Sequence, residues 1–355
     1  MRRRALAAAI LILLTPLSAC SDDDEPDHAA QWSVAGELRE LPRSVAESGL
    51  WVVTADLDGA LRTAKLTRTG DDLQWLAAVG GMPVDGKVTP IFVPIGSGFN
   101  VEYAASGDFA AQAGWSLQDV DSFVEGGRPP SVLTVARGDF DKDTLNKDLV
   151  EVGDGIVSNS TAPDGQTDLK NTNGFSPLGQ PIRLSEEGGR IALSSSTPLV
   201  QAWREQTETL AEDERAVALA RALDDEEVLS AVLSQPVGLA GLGGKQLSPG
   251  TPGPIQQAFD GVGIGWGTDD GVAEIHVVYH FAGPGEAEAA AEPLATLWRE
   301  GVSVRDGRPF AERVAVDDVE VEDGVVRIEL GLQADSAPQV VYQMLLSGEP
   351  VFAAR

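Results

Sequence analysis

The chain has 355 residues, 43% of them hydrophobic, and sets 55 Asp and Glu against 26 Lys and Arg for a net charge of −29 at pH 7. Nucleic acid binding rests on Lys and Arg neutralising phosphates, so this field excludes it as a partner and disfavours adsorption to anionic lipid by charge alone. The only cysteine is Cys20, so no disulfide forms within one chain and the fold relies on packing, for which this length and apolar content suffice.

Arg2-Arg3-Arg4 is followed by the apolar run Ala5 to Leu14. Ten residues fall well short of the roughly 20 that cross a ~30 Å hydrocarbon core, and a charged start, short apolar run and small residues together describe a signal peptide. Leu17-Ser18-Ala19-Cys20 resembles the bacterial lipobox. The resemblance implies a diacylglyceryl group on the Cys20 thiol, cleavage ahead of it, residues 1–19 as signal peptide, and lipid anchoring on the outer, extracytoplasmic face of the cell membrane. Two acyl chains hold a protein stably where one does so marginally. Loss of Arg2, Arg3 and Arg4 removes three positive charges and takes the net charge from −29 to −32. Residues 20–48 read as the lipidated cysteine and a tether, because Ser21-Asp22-Asp23-Asp24-Glu25-Pro26-Asp27 repels itself and buries nothing.

Strands are expected at Leu50–Leu57, Leu61–Thr67 and Leu73–Val79, with turns at Asp58-Gly59 and Gly70-Asp71-Asp72. A helix is expected over Leu117–Val124, capped by Ser116 with Asp119 three residues on, then a strand over Ser131–Arg137 and a short helix carrying Leu145 and Leu149. Asn159–Gly179 reads as a surface loop. Three hairpins follow, turning at Glu186-Glu187-Gly188-Gly189, Asp269-Asp270-Gly271 and Asp323-Gly324, each leading into a helix; these helices begin near Pro198, Gly285 and Pro338. Between the first two, Asp213–Ser234 reads as helical, with Asp224 restarting a second helix that buries Val228, Leu229, Val232 and Leu233.

The fold class expected is α+β, with antiparallel sheets built from repeated β-hairpin-then-helix units and the helices packed on one face. The Gly/Pro-rich residues 236–256 are expected to link an N-terminal α+β domain, residues 49–235, to a ferredoxin-like α+β domain, residues 257–355.

Candidate chemistry is sparse. Asp139-Phe140-Asp141-Lys142-Asp143 has the odd-numbered aspartates of a calcium loop, but its sixth position is Thr144 and its twelfth is Val150, where Gly and a bidentate Glu belong. Asp141 as a helix N-cap explains the same residues. His276 and His280 would grip zinc on a helix, yet they lie in an alternating strand, about 13 Å apart at ~3.4 Å per residue. Glu274 and His276 are neighbours on that face. Gly261, Gly263, Gly265 and Gly267 alternate within a strand and let a neighbour approach closely, in place of cradling a phosphate. No Gly-x-Ser-x-Gly elbow is present, and Trp203 and Trp298 read as core plugs. No catalytic, metal-binding or cofactor-binding residue is assigned; the single assigned site is Cys20 as a lipidation site.

The stretch Gly114-Trp115-Ser116-Leu117-Gln118-Asp119-Val120-Asp121 through Val135-Ala136-Arg137-Gly138-Asp139-Phe140-Asp141 resembles uncharacterised actinobacterial lipoproteins, and Ala222-Leu223-Asp224-Asp225 to Leu233 is similar to a later segment of the same group. The Ala, Gly, Asp and Arg bias, with six lysines, fits such a high-GC source. The resemblance implies an envelope lipoprotein and assigns no functional residue. The leading expectation is a non-catalytic protein that binds a small ligand or an envelope protein without a cofactor; the alternatives are a carboxylate- or metal-dependent hydrolase and a structural protein with no small-molecule site. A cavity with apolar walls and a few convergent polar groups favours ligand binding, and clustered carboxylates with raised pKa values favour the enzyme.

Overall fold

Strands β1 (Trp51–Asp56) and β8 (Ser230–Ser234) pair antiparallel at the centre of a 12-stranded sheet. Outward from β1 lie β2 (Val120–Arg128), β3 (Ser131–Gly138), β7 (Arg190–Ser194), β6 (Arg183–Glu186), β5 (Ile156–Ser158) and β4 (Val150–Gly153). Outward from β8 lie β10 (Gly261–Asp269), β11 (Val272–His280), β13 (Val325–Leu332) and β12 (Val314–Glu322). These neighbours all pair antiparallel. Each half-sheet therefore begins with one central strand, a hairpin, and a second hairpin joined by its later strand; the β4–β5 hairpin extends the first half, and β9 (Val237–Gly238) pairs with β14 (Ala353–Ala354) in a separate two-stranded sheet. Residues 32–68, 74–84, 86–99, 107–176, 178–206, 208–238 and 255–354 are described by this computed structural model; Cys20, the expected signal peptide, the acidic run and the turn expected at Gly70-Asp71-Asp72 lie outside them.

The fold is mixed α/β, an antiparallel sheet with eight α-helices among the described residues. The central strands carry apolar residues at consecutive positions, so both faces must be covered. Val53 and Ala55 point into one core with Val232, Ile264 and Trp266; Val52 and Leu233 point into the other with Val124 and Val135. The first face is covered by α2 (Leu57–Ala64), α3 (Gln74–Val79), α4 (Gly107–Ala113), α7 (Pro284–Glu300) and α8 (Val340–Leu346). The second is covered by α1 (Val34–Glu37), α5 (Thr197–Glu205) and α6 (Glu214–Asp224). The expectation that helices pack on one face is thus corrected. Although the three expected hairpins each precede a helix, α5 lies on the face opposite α7 and α8.

Two further boundaries move. Residues 32–48, grouped with the tether, are folded: Val34, Leu38, Leu41 and Val45 are buried under the second face. Residues 236–256 do not divide the body, because β8 before them and β10 after them are adjacent strands, Val232 opposite Ile264, and Trp32–Arg355 forms one compact unit. Within that stretch, residues 239–254 lie outside the described residues. The C-terminal strands thus continue the shared sheet and do not close into a separate ferredoxin-like layer.

Local chemistry explains where elements depart from expectation. Asp56 accepts a hydrogen bond from the Gly59 amide at 2.8 Å and starts a helix where a turn and strand were expected. Gln74–Val79 is likewise helical. The Ser116/Asp119 capping box forms, but it closes a single 3-10 turn, Leu117–Asp119, before Val120 enters β2. No helix follows Asp141, whose carboxylate accepts from the Asp143 amide and the Thr144 hydroxyl in a turn. Asp224 ends α6 and restarts nothing: the β-branched and apolar run after it is strand β8. Its two oxygens instead accept from the amides of Val34 and Ala35 at 2.6 and 3.0 Å, capping α1 from the middle of the chain.

The Asp-Gly turns behave as such sequences should, with Asp270, Gly271, Asp323 and Gly324 all at positive φ. The same dipeptide at Asp154-Gly155 turns β4 into β5, a hairpin that was not anticipated. The alternating glycines of β10 make room for α6 and the turn after it. A Cβ on Gly261 would stand 2.9 Å from Leu219, on Gly263 3.2 Å from Leu223, and on Gly265 2.5 Å from Val228.

Candidate functional site

A concavity with apolar walls lies on the first face, at the end of the central strands where Trp51 of β1 pairs with Ser234 of β8. Its floor is Trp51, Val53 and Glu125. Its walls are the crossing segment Ile95–Ser97 and α8, which contributes Tyr342, Leu345 and Leu346. The cleft encloses about 430 Å³, within the usual range for small-molecule sites. Both half-sheets contribute: β1 and β2 from one, β8 and α8 from the other.

Glu125 organises this region. It is 2% exposed in the middle of β2, directly opposite Thr134 of β3. One oxygen accepts from the Ser97 amide at 2.8 Å and the Ser97 hydroxyl at 2.9 Å; the other accepts from the Gly98 amide at 2.7 Å and the Thr134 hydroxyl at 2.8 Å. Four donors on one buried carboxylate compensate its burial and pin the segment carrying Ile95 and Ser97 across the sheet. Gly98 is needed there, since a Cβ would fall 2.0 Å from the Thr134 hydroxyl. With its lone pairs so engaged, Glu125 is a structural strut.

The groups left to meet a ligand are few. Arg128, exposed at the end of β2, lies with its guanidinium 5.0 Å from the Trp51 ring centroid. Tyr342 lines the same space, whereas the Ser97 hydroxyl already donates its proton to Glu125. Burial first, and the Glu125 charge second, push the Tyr342 phenol above its ordinary pKa, so it remains a neutral donor. On the other side of Ser97 a smaller apolar cavity of about 200 Å³ lies against Phe109, Val132, Phe175 and Leu193.

A second polar site occupies the opposite face. His276 of β11 is 3% exposed, with Nδ1 3.6 Å from Glu226 and Nε2 3.5 Å from Glu274. Nε2 is buried without a hydrogen-bond partner. Arg327 of β13 pairs with Glu226 at 2.5 Å and with Glu322 at 3.1 Å. Burial, seconded by Arg327 and opposed by Glu226 and Glu329, lowers the His276 pKa; burial and the neighbouring Glu274 raise that of Glu329. Sequence spacing placed Glu274 beside His276 but had no means of bringing Glu226, from the turn after α6, over the ring. His280, expected on the same face, pairs with Asp260 at 2.6 Å. Among the described residues no group of three or more His, Cys, Asp or Glu side chains is arranged to hold a metal ion.

A third cluster sits on that face in the other half-sheet. Glu40 accepts from Arg190 at 2.8 Å, from Arg137 at 3.2 Å and from the indole of Trp203 at 3.1 Å. Beside it Glu37 is 5% exposed, and burial, only partly offset by Arg137, pushes its pKa up to about 7. Trp203 and Trp298 are both core residues, the latter donating to the Tyr279 hydroxyl at 2.9 Å.

No family model matches the chain, and no match was found among curated proteins or solved structures. The reading of function therefore rests on the site. No helix among the described residues is long and apolar enough to cross a membrane. Trp51, Glu125, Arg128 and Tyr342 were not singled out from sequence. One signal was available for Glu125, an acid at an inward position of a strand, between Phe123 and Gly127.

Proposed function

We propose that this chain is a lipid-anchored protein of the cell envelope, held on the extracytoplasmic face through Cys20, that binds a small ligand in the Glu125 cleft and performs no chemistry on it. The observation that carries ligand binding is the cleft: apolar walls from both half-sheets, a few polar groups, and a central carboxylate whose acceptors are already taken by Ser97, Gly98 and Thr134. A carboxylate so engaged is a poor general base, which favours binding over catalysis. The lipobox supports the anchor.

Two measurements test this. Cys20→Ala should move the protein from the membrane to the soluble fraction; unchanged membrane association overturns the anchor. Wild-type protein drawn from its native envelope should carry a class of small molecule, detected by mass spectrometry, that Leu346→Glu loses. Leu346 is exposed on the cleft wall, so the variant keeps the core. Wild-type protein that carries nothing, or a variant that carries the same load, overturns ligand binding at this cleft.

A hydrolase using His276, Glu274 and Glu329 is the second reading. It is favoured by one observation, a buried imidazole whose Nε2 lacks a hydrogen bond and lies 3.5 Å from Glu274.

A further inference from the structure

We infer that the ligand of the Glu125 cleft is an anionic amphiphile, a single apolar chain or ring carrying one carboxylate- or phosphate-type head, with the head at Arg128 and the apolar part against Trp51, Ile95 and α8. This rests on the cleft being the binding site and goes further by naming the chemical class.

The charge at the mouth sets the sign of the head. The whole chain repels anions, with 55 acidic against 26 basic side chains. At the cleft the order is reversed. The one acid that lines it, Glu125, is buried and turned toward four donors, while the one cation, Arg128, is exposed and makes no ion pair among the described residues. The Arg128 guanidinium carbon lies over the Trp51 ring, 5.0 Å from the centroid. A guanidinium held against an indole is pre-oriented, so less side-chain freedom is lost when it forms a two-pronged contact with a carboxylate or phosphate. Tyr342, which also lines the cleft, offers its phenol as a further donor for the same head, while the Ser97 hydroxyl is already given to Glu125.

The walls set the body. Val53, Ile95, Leu345 and Leu346 are aliphatic, and Trp51 and Tyr342 add ring faces. Apolar area removed from water there contributes at about 25 cal/mol per Å², the main driving force for an uncharged tail. A small polar anion gains nothing from these walls, and a cationic amphiphile would leave Arg128 facing a like charge in a cleft whose acid offers no free acceptor. Only a molecule with both parts uses all the groups present.

The test uses the full-length protein in detergent-free buffer at pH 8, with dodecanoate, dodecyltrimethylammonium and dodecanol as probes below their aggregation limits. Calorimetry should show dodecanoate binding at least tenfold more tightly than either other probe. Arg128→Gln should erase the preference and leave the three affinities equal, and Arg128→Lys should keep a reduced one, because a point charge attracts the head without the two-pronged geometry. Arg128 is exposed at a strand end, and an unchanged melting temperature verifies that each variant is folded. Equal binding of the three probes by wild-type protein, or a preference that survives Arg128→Gln, overturns the anionic head while the cleft remains a ligand site. Failure of all three to bind overturns both.

Discussion

Glu40 and Glu226 lie under the same face of the sheet in opposite halves, each paired with an arginine from the fourth strand out: Arg190 of β7 and Arg327 of β13. Their surroundings differ. Glu40 is 8% exposed and meets two arginines and an indole. Glu226 is partly open to solvent, and where the first cluster has Arg137 the second has His276, with Glu274 and Glu329 crowding the same ring. One cluster closes on itself and fixes the first helical segment to the sheet. The other holds more carboxylate than cation and leaves an imidazole nitrogen unbonded. Similar strand positions thus serve as a closed clamp in one half and as a more open, acid-rich site in the other.

The clamp is the more sensitive to truncation. Glu40→Ala should lower unfolding free energy by about 4 kcal/mol, because it strands Arg190 and Trp203 at a buried site, whereas Glu226→Ala should cost about 1 kcal/mol at its wetter position. Urea denaturation measures both; equal losses would break the distinction between the clusters.

The next effect depends on pH. Glu37 has a folded-state pKa of about 7 against 4.5 when unfolded, so its stabilising contribution is complete below pH 4.5 and is lost as pH rises through 7. The isosteric, uncharged Glu37→Gln should therefore match wild type near pH 4.5 and exceed it at pH 8, by up to about 3 kcal/mol. Melting curves at the two pH values read this directly, and a gain of equal size at both would refute the buried carboxyl as its source.

Smaller again is the cap that α6 lends to α1. Asp224→Ala frees the Val34 and Ala35 amides and should cost about 1 kcal/mol, with hydrogen exchange accelerated at those two amides before the rest of the body. Exchange that stays slow there would mean the first helical segment is held by the Glu40 clamp alone.

The least of these effects is a change of slope. His276 is held below its ordinary pKa of 6.5 by burial, so its contribution is present above pH 6.5 and lost as pH falls, the reverse of Glu37. Glu226, Glu274, Glu329 and Arg327 face the ring, and Glu329, raised by burial, works in the opposite sense. In a Glu329→Gln background, His276→Gln should flatten the loss of stability on acidification. A slope that does not change would remove the imidazole from the titration.

Elements whose signal is local were legible in the sequence. Asp323-Gly324 and Asp269-Asp270-Gly271 dictated their hairpins through residues that tolerate positive φ, and Pro198 opened its helix. Leu61–Thr67 has the pattern of a strand and Val228–Leu233 that of a helix, and the structure departs from both, because in such short apolar runs neither period is decisive. What settled them was distant in sequence: an Asp56 cap for the first, a berth between β1 and β10 for the second. The cleft was illegible for a related reason. Trp51, Arg128, Ser234 and Tyr342 are spread over nearly three hundred residues, and only the antiparallel register brings them together. Of the His276 cluster, the strand period revealed the Glu274 neighbour, while Glu226 and Arg327 needed the fold.

The placement of β1 has a mechanical consequence. The segment after Gln31 reaches the sheet through residues 32–46, which are cross-linked to the chain at Arg137, Arg190, Trp203 and Asp224, and then enters a strand flanked on both sides by others. Tension applied through an anchor at Cys20 would be borne by these contacts before it reached β1. An edge strand is held by one ladder of hydrogen bonds, whereas β1 is held by two. A protein tethered by its first folded residues is in this way attached at the part of its sheet that is hardest to unzip.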